Sequence, residues 1–285
     1  MLSICIPSYN RYLFLQWCIV RTRKDFPNAQ IIVSDNDSHD LTSTLLKFAD
    51  KDIQQNKNIG PFPNMREVLL AATTKYCMYL ADDDYLLPDQ VQKGIDFLNN
   101  HPDVVCYYAP CEFYDEVNKK SIVKVFYEAN GQTFNIASLL WNFVIDKHVW
   151  PEHVIWRREG LEKILQPRTC AYWAFIDLAN AFLAGPVHFA REPFYRSLVS
   201  HPIGERIKLG DSQCLTDFDE YRAGLELMAY ELFRKVLSPA LKQSINEMIQ
   251  HFIARRIEMA YRILFSQGKL DEAEPYRRRL KICGK

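Results

Sequence analysis

The sequence predicts an α/β fold: a mostly parallel sheet flanked by helices, followed by a C-terminal helical extension. Three observations predict it. Short apolar runs of strand length alternate with amphipathic stretches of helix length through the first 110 residues, the spacing of parallel strands joined by crossover helices. Several of those runs end abruptly in carboxylates or polar turn residues, as strands do on leaving a buried sheet. From Asp217 onward apolar residues recur at helical period, with no further strand pattern.

The elements follow in order. Residues 3–6 form the first buried strand, stopped by Pro7, and Ser8-Tyr9-Asn10-Arg11 supplies turn chemistry before a helical pattern through Leu13, Trp17 and Val20. Residues 31–33 are a second strand ending in Ser34-Asp35-Asn36-Asp37-Ser38. A helix over 41–49, a weak strand at 53–55 and a loop over 58–63 come next. The helix expected over 64–72 has Asn64 as N-cap and Glu67 three residues on, a loose capping box. Residues 76–80 have the β-forming composition of a buried strand, 89–100 a helical pattern, and 104–108 strand character again.

The fourth strand runs straight into Asp82, Asp83 and Asp84 before Pro88 starts the next helix. Three adjacent carboxylates raise one another's pKa values unless they are solvated or neutralised, and a hard divalent cation with oxygen ligands would neutralise them. A solvated turn with helix-capping carboxylates is the plainer alternative. In a parallel sheet the carboxyl ends of all strands open on one edge, where ligands bind. Pro7 to Tyr9, Asp35 to Asp37 and Asp82 to Asp84 are therefore expected around a single crevice.

The totals narrow the class of function. With 48% hydrophobic residues in a chain of 285, a sizeable core is available, and 35 basic against 35 acidic residues give no global attraction to nucleic acid. Eight scattered cysteines show no CxxC pair and no zinc spacing, and read as small core residues of a reducing compartment. The chain opens directly on a strand pattern, which leaves no room for a cleavable signal, and no apolar stretch approaches the roughly eighteen residues needed to cross a bilayer. A cytoplasmic location is the expectation.

Ile4-Cys5-Ile6-Pro7-Ser8-Tyr9-Asn10-Arg11, Val33 to Ser38, Asn58-Ile59-Gly60 with Asn64, and Leu80 to Asp84 with Pro88 together resemble the nucleotide-binding half of family 2 glycosyltransferases, of the GT-A fold. The resemblance covers about the first 110 residues, with four motifs in order. It implies a nucleoside diphosphate sugar donor, a UDP-sugar by family habit, and a divalent ion, Mn²⁺ or Mg²⁺. Asp82-x-Asp84 looks like the family's Asp-x-Asp motif, in which one carboxylate contacts the ribose or metal and the other the metal. Sequence leaves open how Asp82, Asp83 and Asp84 divide those roles. Pro7 and Tyr9 look like the floor of the base pocket, with Tyr9 able to stack on or cover the ring, or else packed in the core; Asp35 matches the carboxylate used on base or ribose, with an Asx-turn or N-cap as the plainer role. Arg66 lies within reach of a diphosphate or base, or else on a solvated helix face.

By the same resemblance residues 1–110 form the nucleotide-sugar half, 111–212 the acceptor half, and 213–285 a helical extension. Val154 to Glu159 resembles the segment preceding the acceptor-site helix, where Trp150 and Trp156 suit a sugar ring or ordinary core packing. An inverting member needs a general base, commonly the Asp of a Glu-Asp pair opening a helix. The matching region here, residues 169–178, has Trp173-Ala174 where the pair is expected. Asp177, about one turn later, is its only carboxylate and the candidate catalytic residue; Glu152, His153 and Asp115 are reserves. The departure bears on mechanism rather than fold. Ser200-His201-Pro202 resembles the loop after the family's closing strand, which makes His201 a candidate metal contact. The basic loop 204–212, with Arg206 and Lys208, is suited to ordering over the donor and excluding water.

Residues 221–237, 239–265 and 271–282 read as helices, with Ser238 before Pro239 as a cap. Leu225, Met228, Leu232 and Val236 mark one apolar stripe, and Ile245, Met248, Phe252, Ile257 and Tyr261 another, suited to packing or to a homo-oligomer interface. Arg255, Arg256, Arg262, Arg277, Arg278, Arg279 and Lys281 give a basic end, either a solvated face or a peripheral contact with anionic membrane. The function expected is metal-dependent, inverting transfer of a sugar to a saccharide or lipid-linked saccharide. A non-catalytic nucleotide-sugar or carbohydrate binding protein is the alternative. A sugar nucleotidyltransferase is disfavoured, because the first strand leads into Pro7-Ser8-Tyr9-Asn10 rather than a glycine-rich phosphate loop.

Overall fold

The computed structural model describes residues 1–124, 153–165, 173–204, 224, 226–230, 233–234 and 238–282. Contacts divide the chain into two units, Met1–Thr133 with Val149–Thr169 and Asn180–Arg206 in the first, and Phe134–His148 with Cys170–Ala179 and Ile207–Lys285 in the second.

The first unit is built on a seven-stranded sheet. Its strands are β1 (Leu2–Ser8), β2 (Gln30–Asp35), β3 (Lys51–Gln54), β4 (Tyr76–Tyr79), β6 (Cys106–Tyr108), β9 (Val154–Arg157) and β10 (Val187–Phe189), in the order β10-β6-β9-β4-β1-β2-β3. β1 pairs parallel with both β2 and β4. Leu2, Ile4, Cys5 and Ile6 are all buried, and so is Ser3 between them, so consecutive residues of β1 are covered on both faces of the sheet. The connections are α1 (Tyr12–Asp25), a 3₁₀ helix (Leu41–Phe48), α2 (Pro61–Leu70) and α3 (Pro88–Asn100).

Two local expectations are corrected. The segment over 41–49 is a 3₁₀ rather than an α-helix, started by Asp40, whose carboxylate accepts from the Thr42 N–H at 2.8 Å. Asn64 is not an N-cap, because α2 begins three residues earlier. Pro61 suits the first helical position, and Gly60, at φ 88°, takes the cap in a conformation open to glycine. Asn64 lies buried inside the helix and accepts from Ser34 Oγ at 2.6 Å, tying α2 to the end of β2.

β9 is the one strand of this sheet that breaks the parallel pattern, running antiparallel to both neighbours, β4 and β6. Arg157 at its end and Arg158 just beyond it hold the chain around two helix ends. Arg157 donates to the carbonyls of His101 and Val104 at 2.8 and 2.6 Å after α3, and Arg158 to those of Leu70 and Ala72 at 2.9 and 2.8 Å after α2. Each guanidinium thereby satisfies one carbonyl at a helix terminus, His101 or Leu70, and one in the chain that follows it, Val104 or Ala72. Trp156 is buried in this strand, its ring edge-on to Tyr108 at 5.9 Å, so it is core.

α3 presses on the sheet through Gly94, where a Cβ would stand 2.7 Å from Ile155 Cδ1 and 2.9 Å from the Tyr107 ring. Gly94→Ala is therefore expected to destabilise by about 1–3 kcal/mol through overpacking, although alanine is the better helix former. A denaturant melt at unchanged m-value checks this.

A second, four-stranded sheet has the order β5-β11-β7-β8, from β5 (Tyr85–Leu86), β7 (Cys111–Asp115), β8 (Lys120–Lys124) and β11 (Tyr195–Ser200). β11 pairs antiparallel with β5, directly after the acidic triplet, and parallel with β7. Behind it, Arg196 donates to buried Glu112 at 2.5 Å and to the Tyr85 hydroxyl at 2.8 Å. The short α4 (Leu161–Ile164) follows β9, and α5 (Trp173–Ala184) precedes β10.

In the second unit α6 (Pro239–Ser266) and α7 (Leu270–Ile282) form a helical hairpin. Of the expected stripe, Ile245, Met248, Phe252 and Ile257 are buried and Tyr261 is half-buried, and Ile249, Ala260 and Leu264 join them. The stripe from Leu225 to Val236 lies mostly outside the described residues, with Met228 buried among those described. No helix among the described residues is long and apolar enough to cross a membrane. The described cysteines 5, 18, 77, 106 and 111 are all buried.

Candidate active site

The parallel pairing of β1 with β2 and β4 brings three strand ends to one edge, and Ser8 joins them. Ser8 stands opposite Asp35 in the β1–β2 register, and its hydroxyl donates to Asp82 Oδ2 at 2.6 Å. The Asn36 N–H adds a bond to the Ser8 carbonyl at 3.0 Å. The loops beyond are stitched in the same way. Asn10 and Asp37 adopt positive φ (53° and 65°), a region these two residue types tolerate. The Asn10 N–H donates to Ser38 Oγ at 2.8 Å, and Asn10 Oδ1 accepts from the His39 N–H at 2.7 Å. Asn36 holds the loop before α2 through Asn58 Oδ1 at 3.0 Å and the Ile59 N–H at 2.9 Å.

Asp35 is fully buried at the end of β2. Its Oδ1 accepts the Ser38 N–H at 3.2 Å, while Oδ2 has no hydrogen-bond partner among the described residues. Buried carboxylate oxygens normally have partners, and one without sits at functional positions often enough to need an explanation. Pro7 is half-buried, and Tyr9 is 38% exposed rather than packed in the core, so its ring faces solvent beside this edge.

The acidic triplet is buried, at 5%, 2% and 3% exposure, and it divides in two. Asp82 and Asp83 face Arg11, which precedes α1. Its Nη2 donates to Asp83 Oδ2 at 2.5 Å, and its Nε stands 3.2 Å from Asp82 Oδ1. Asp84 faces β11 instead: Oδ1 accepts the Leu198 N–H at 2.8 Å and Oδ2 the Tyr195 hydroxyl at 3.0 Å. Tyr195 in turn accepts the Ala81 N–H at 3.0 Å. Burial, and next the Asp84 carboxylate, push the Tyr195 phenol well above its ordinary pKa, so it remains a donor. The carboxylate oxygens of Asp82 and Asp83 are the hard donors that Mg²⁺ and Mn²⁺ take, and their chemistry fits such an ion. Among the described residues, no three His, Cys, Asp or Glu are grouped as a ready-made metal site.

The other expected site residues fall as follows. His201 is buried with its ring edge-on to Trp17 at 4.6 Å and Phe14 at 4.9 Å, and its Nδ1 accepts the Ile203 N–H at 3.3 Å. Phe14 also lies under the Arg11 guanidinium at 4.7 Å, so His201 and Arg11 share one ring. Arg66 donates to the Leu165 carbonyl at 2.7 Å and pairs with Glu67 at 2.8 Å. Asp177 is buried in α5, within the part of that helix assigned to the second unit. Glu152, Trp150 and residues 205–212 lie outside the described residues. Ser8, Tyr195 and Leu198 join the site in addition to the candidate residues expected from sequence. The hydroxyl of Ser8 was visible inside the first motif, whereas the Tyr195 and Leu198 contacts span more than a hundred residues.

A model of the family described as Glycosyl transferase family 2 matches residues 3–165, more than half of the chain. The chain belongs to that family. A curated relative, GalNAc(5)-diNAcBac-PP-undecaprenol beta-1,3-glucosyltransferase of Campylobacter jejuni subsp. jejuni serotype O:2, is 34% identical over 94 residues, 30% of this chain and 30% of that one. Rv1520 of Mycobacterium tuberculosis, itself uncharacterised, is 28% identical over 132 residues, 42% of this chain and 38% of that one. The matches thus span about a third of these relatives' lengths. Among solved structures, S. aureus TarS 1-349 in complex with UDP-GlcNAc aligns over 98% of this chain and 90% of that one, with a TM-score of 0.65 and 15% identity. The mannosyltransferase PcManGT from Pyrobaculum calidifontis, in complex with GDP-Man and Mn²⁺, aligns over 99% and 84%, with a TM-score of 0.59 and 11% identity. At such identities the likeness shows the fold, and it agrees with the GT-A architecture expected for this family.

The reserve bases differ in chemistry. Asp115 is held down to about 2, first by Asn118 and then by Ser200, and burial lowers His153 to about 3. A general base works best with a pKa near the operating pH, so both are poor proton acceptors. His153 also carries a stability prediction. Its folded pKa lies below the value near 6.5 of an unfolded histidine, so below pH 6.5 the unfolded chain takes up a proton that the native state refuses. Stability therefore falls as pH drops from about 6.5 toward 3, by up to about 1.4 kcal/mol per pH unit from this residue. His153→Gln is expected to flatten that limb in urea melts at pH 4.5, 5.5 and 6.5, provided the variant stays folded.

Proposed function

We propose that this family 2 chain transfers a sugar from a nucleoside diphosphate donor to a hydroxyl of a saccharide or lipid-linked saccharide, with inversion and with a divalent ion. The observation that carries the reading is Ser8, placed beside Asp35 by register and bonded to Asp82, which draws the acidic ends of β2 and β4 to one sheet edge. The relative whose printed name gives a PP-undecaprenol glycan as acceptor motivates the lipid-linked alternative, and the UDP-GlcNAc complex of TarS motivates uridine donors as the first to test.

In this reading the Tyr9 ring stacks on the base, and Asp35 Oδ2 accepts from a base N–H or ribose hydroxyl. Asp82 and Asp83 hold the ion, with Asp84 and His201 as the remaining candidates. When bound, the ion supplies Lewis-acid stabilisation to the leaving diphosphate. The acceptor oxygen bonds to the anomeric carbon as the bond to the diphosphate breaks on the opposite face. The hydroxyl proton passes to a carboxylate, for which Asp177, the only carboxylate of residues 169–178, is the candidate where the family's own acidic pair is replaced by Trp173-Ala174. Arg279 and Lys281 on α7 are exposed, and a peripheral contact with anionic membrane fits a lipid-linked acceptor. The test is donor consumption and transfer across a panel of UDP- and GDP-sugars, with Mn²⁺ and with EDTA. Mn²⁺-dependent turnover is expected. Saturable donor binding with no hydrolysis or transfer across acceptors would favour a binding protein instead.

A further inference from the structure

Arg11 stands where a cation would stand. Its guanidinium contacts Asp83 Oδ2 at 2.5 Å and Asp82 Oδ1 at 3.2 Å, two buried carboxylates, and is backed by the Phe14 ring at 4.7 Å. Both oxygens of Asp84 already accept protein donors from β11. The carboxylate oxygens best suited to a hard ion are therefore those Arg11 covers. A guanidinium carries one positive charge for two carboxylates, and a divalent ion carries two, so the exchange is electrostatically favourable once desolvation of the ion is met.

We infer that Arg11 is a latch on the ion position: in the resting chain it neutralises Asp82 and Asp83, and it must leave them for the ion to bind. The inference rests on the proposed metal-dependent transfer and adds to it a residue that competes with the ion. Burying Asp82 and Asp83 side by side without a counter-charge would strain the fold. The latch therefore keeps the turn shaped between catalytic cycles. Its cost is a weakened apparent affinity for the ion, since only the unlatched fraction binds. A diphosphate arriving with the ion offers the displaced guanidinium a new anionic partner, and binding of ion and nucleotide becomes coupled.

The test titrates Mn²⁺ alone into the full chain, following free Mn²⁺ by electron paramagnetic resonance, for wild type, Arg11→Met and Arg11→Lys. Arg11→Met removes the charge at similar length and is expected to bind Mn²⁺ at least about tenfold more tightly than wild type, the latched fraction being released. Arg11→Lys, a point charge that cannot fork across two carboxylates, is expected between them and serves if Arg11→Met does not fold. In EDTA Arg11→Met should melt lower than wild type and recover more on adding Mn²⁺, a rescue that loss of simple packing would not give. Equal or weaker Mn²⁺ binding by both variants would overturn the latch while leaving metal-dependent transfer standing. Absence of Mn²⁺ binding from all three forms, with UDP also present, would overturn both.

Discussion

Asp83→Asn is expected to lower kcat/KM for transfer by about 10²- to 10³-fold while the chain stays folded. The size follows from what the carboxylate is proposed to do. Charge placed in advance at the departing diphosphate acts in a buried site, and removal of one such group typically costs this much. Asparagine matches the shape and can still accept from Arg11 through its amide oxygen. The bond now 2.5 Å long is weakened rather than deleted, and the stability loss should stay within about 1–3 kcal/mol. Steady-state kinetics at saturating Mn²⁺, with a circular dichroism melt of the same sample, separates the two effects. Unchanged transfer by the folded variant would remove Asp83 from the mechanism.

Tyr195→Phe has the largest stability effect expected of a single atom. The phenol oxygen accepts the Ala81 N–H and donates to Asp84 Oδ2, both at 3.0 Å, and Tyr195 and Asp84 are both buried. Phenylalanine fills the same volume less one oxygen and deprives both groups of that partner. Each such loss costs about 1–3 kcal/mol, so a decrease of about 2–6 kcal/mol is expected, on the order of 4–24 °C in Tm for a unit of this size. Because Asp84 and the Ala81 N–H flank Asp82 and Asp83, transfer should fall as well, with a raised requirement for Mn²⁺. A variant melting with wild type would show that the bridge contributes nothing.

The α/β class and the placement of Asp35 and Asp82 to Asp84 at strand ends were legible because both rest on local signals. An apolar run stopped by carboxylates marks a strand end, and the parallel arrangement carries those ends to one edge. Asn64 misled because its N-cap chemistry is genuine, while Pro61 three residues earlier outranked it in starting the helix. The antiparallel β9 was not legible: Val154 to Trp156 looks the same in either direction, and its place between β4 and β6 is set by pairing across a long stretch of chain. The division of the triplet was hidden for the same reason. Three adjacent aspartates are alike in sequence, and only the backbone of Leu198 and the hydroxyl of Tyr195, 114 and 111 residues away from Asp84, distinguish it from its neighbours. Arg11 was visible as part of a motif, but its reach to Asp83 depends on β1 and β4 lying side by side.

The edge joined by Ser8 is proposed to receive a nucleoside diphosphate together with an ion, and a crystal structure of the chain grown with UDP and Mn²⁺ decides the matter. The uracil or ribose is expected on Asp35 Oδ2 beside the Tyr9 ring, and the ion between the diphosphate and the carboxylates of Asp82 and Asp83, with Arg11 moved off them. A well-ordered nucleotide that touches none of Asp35, Asp82 and Asp83 would contradict it.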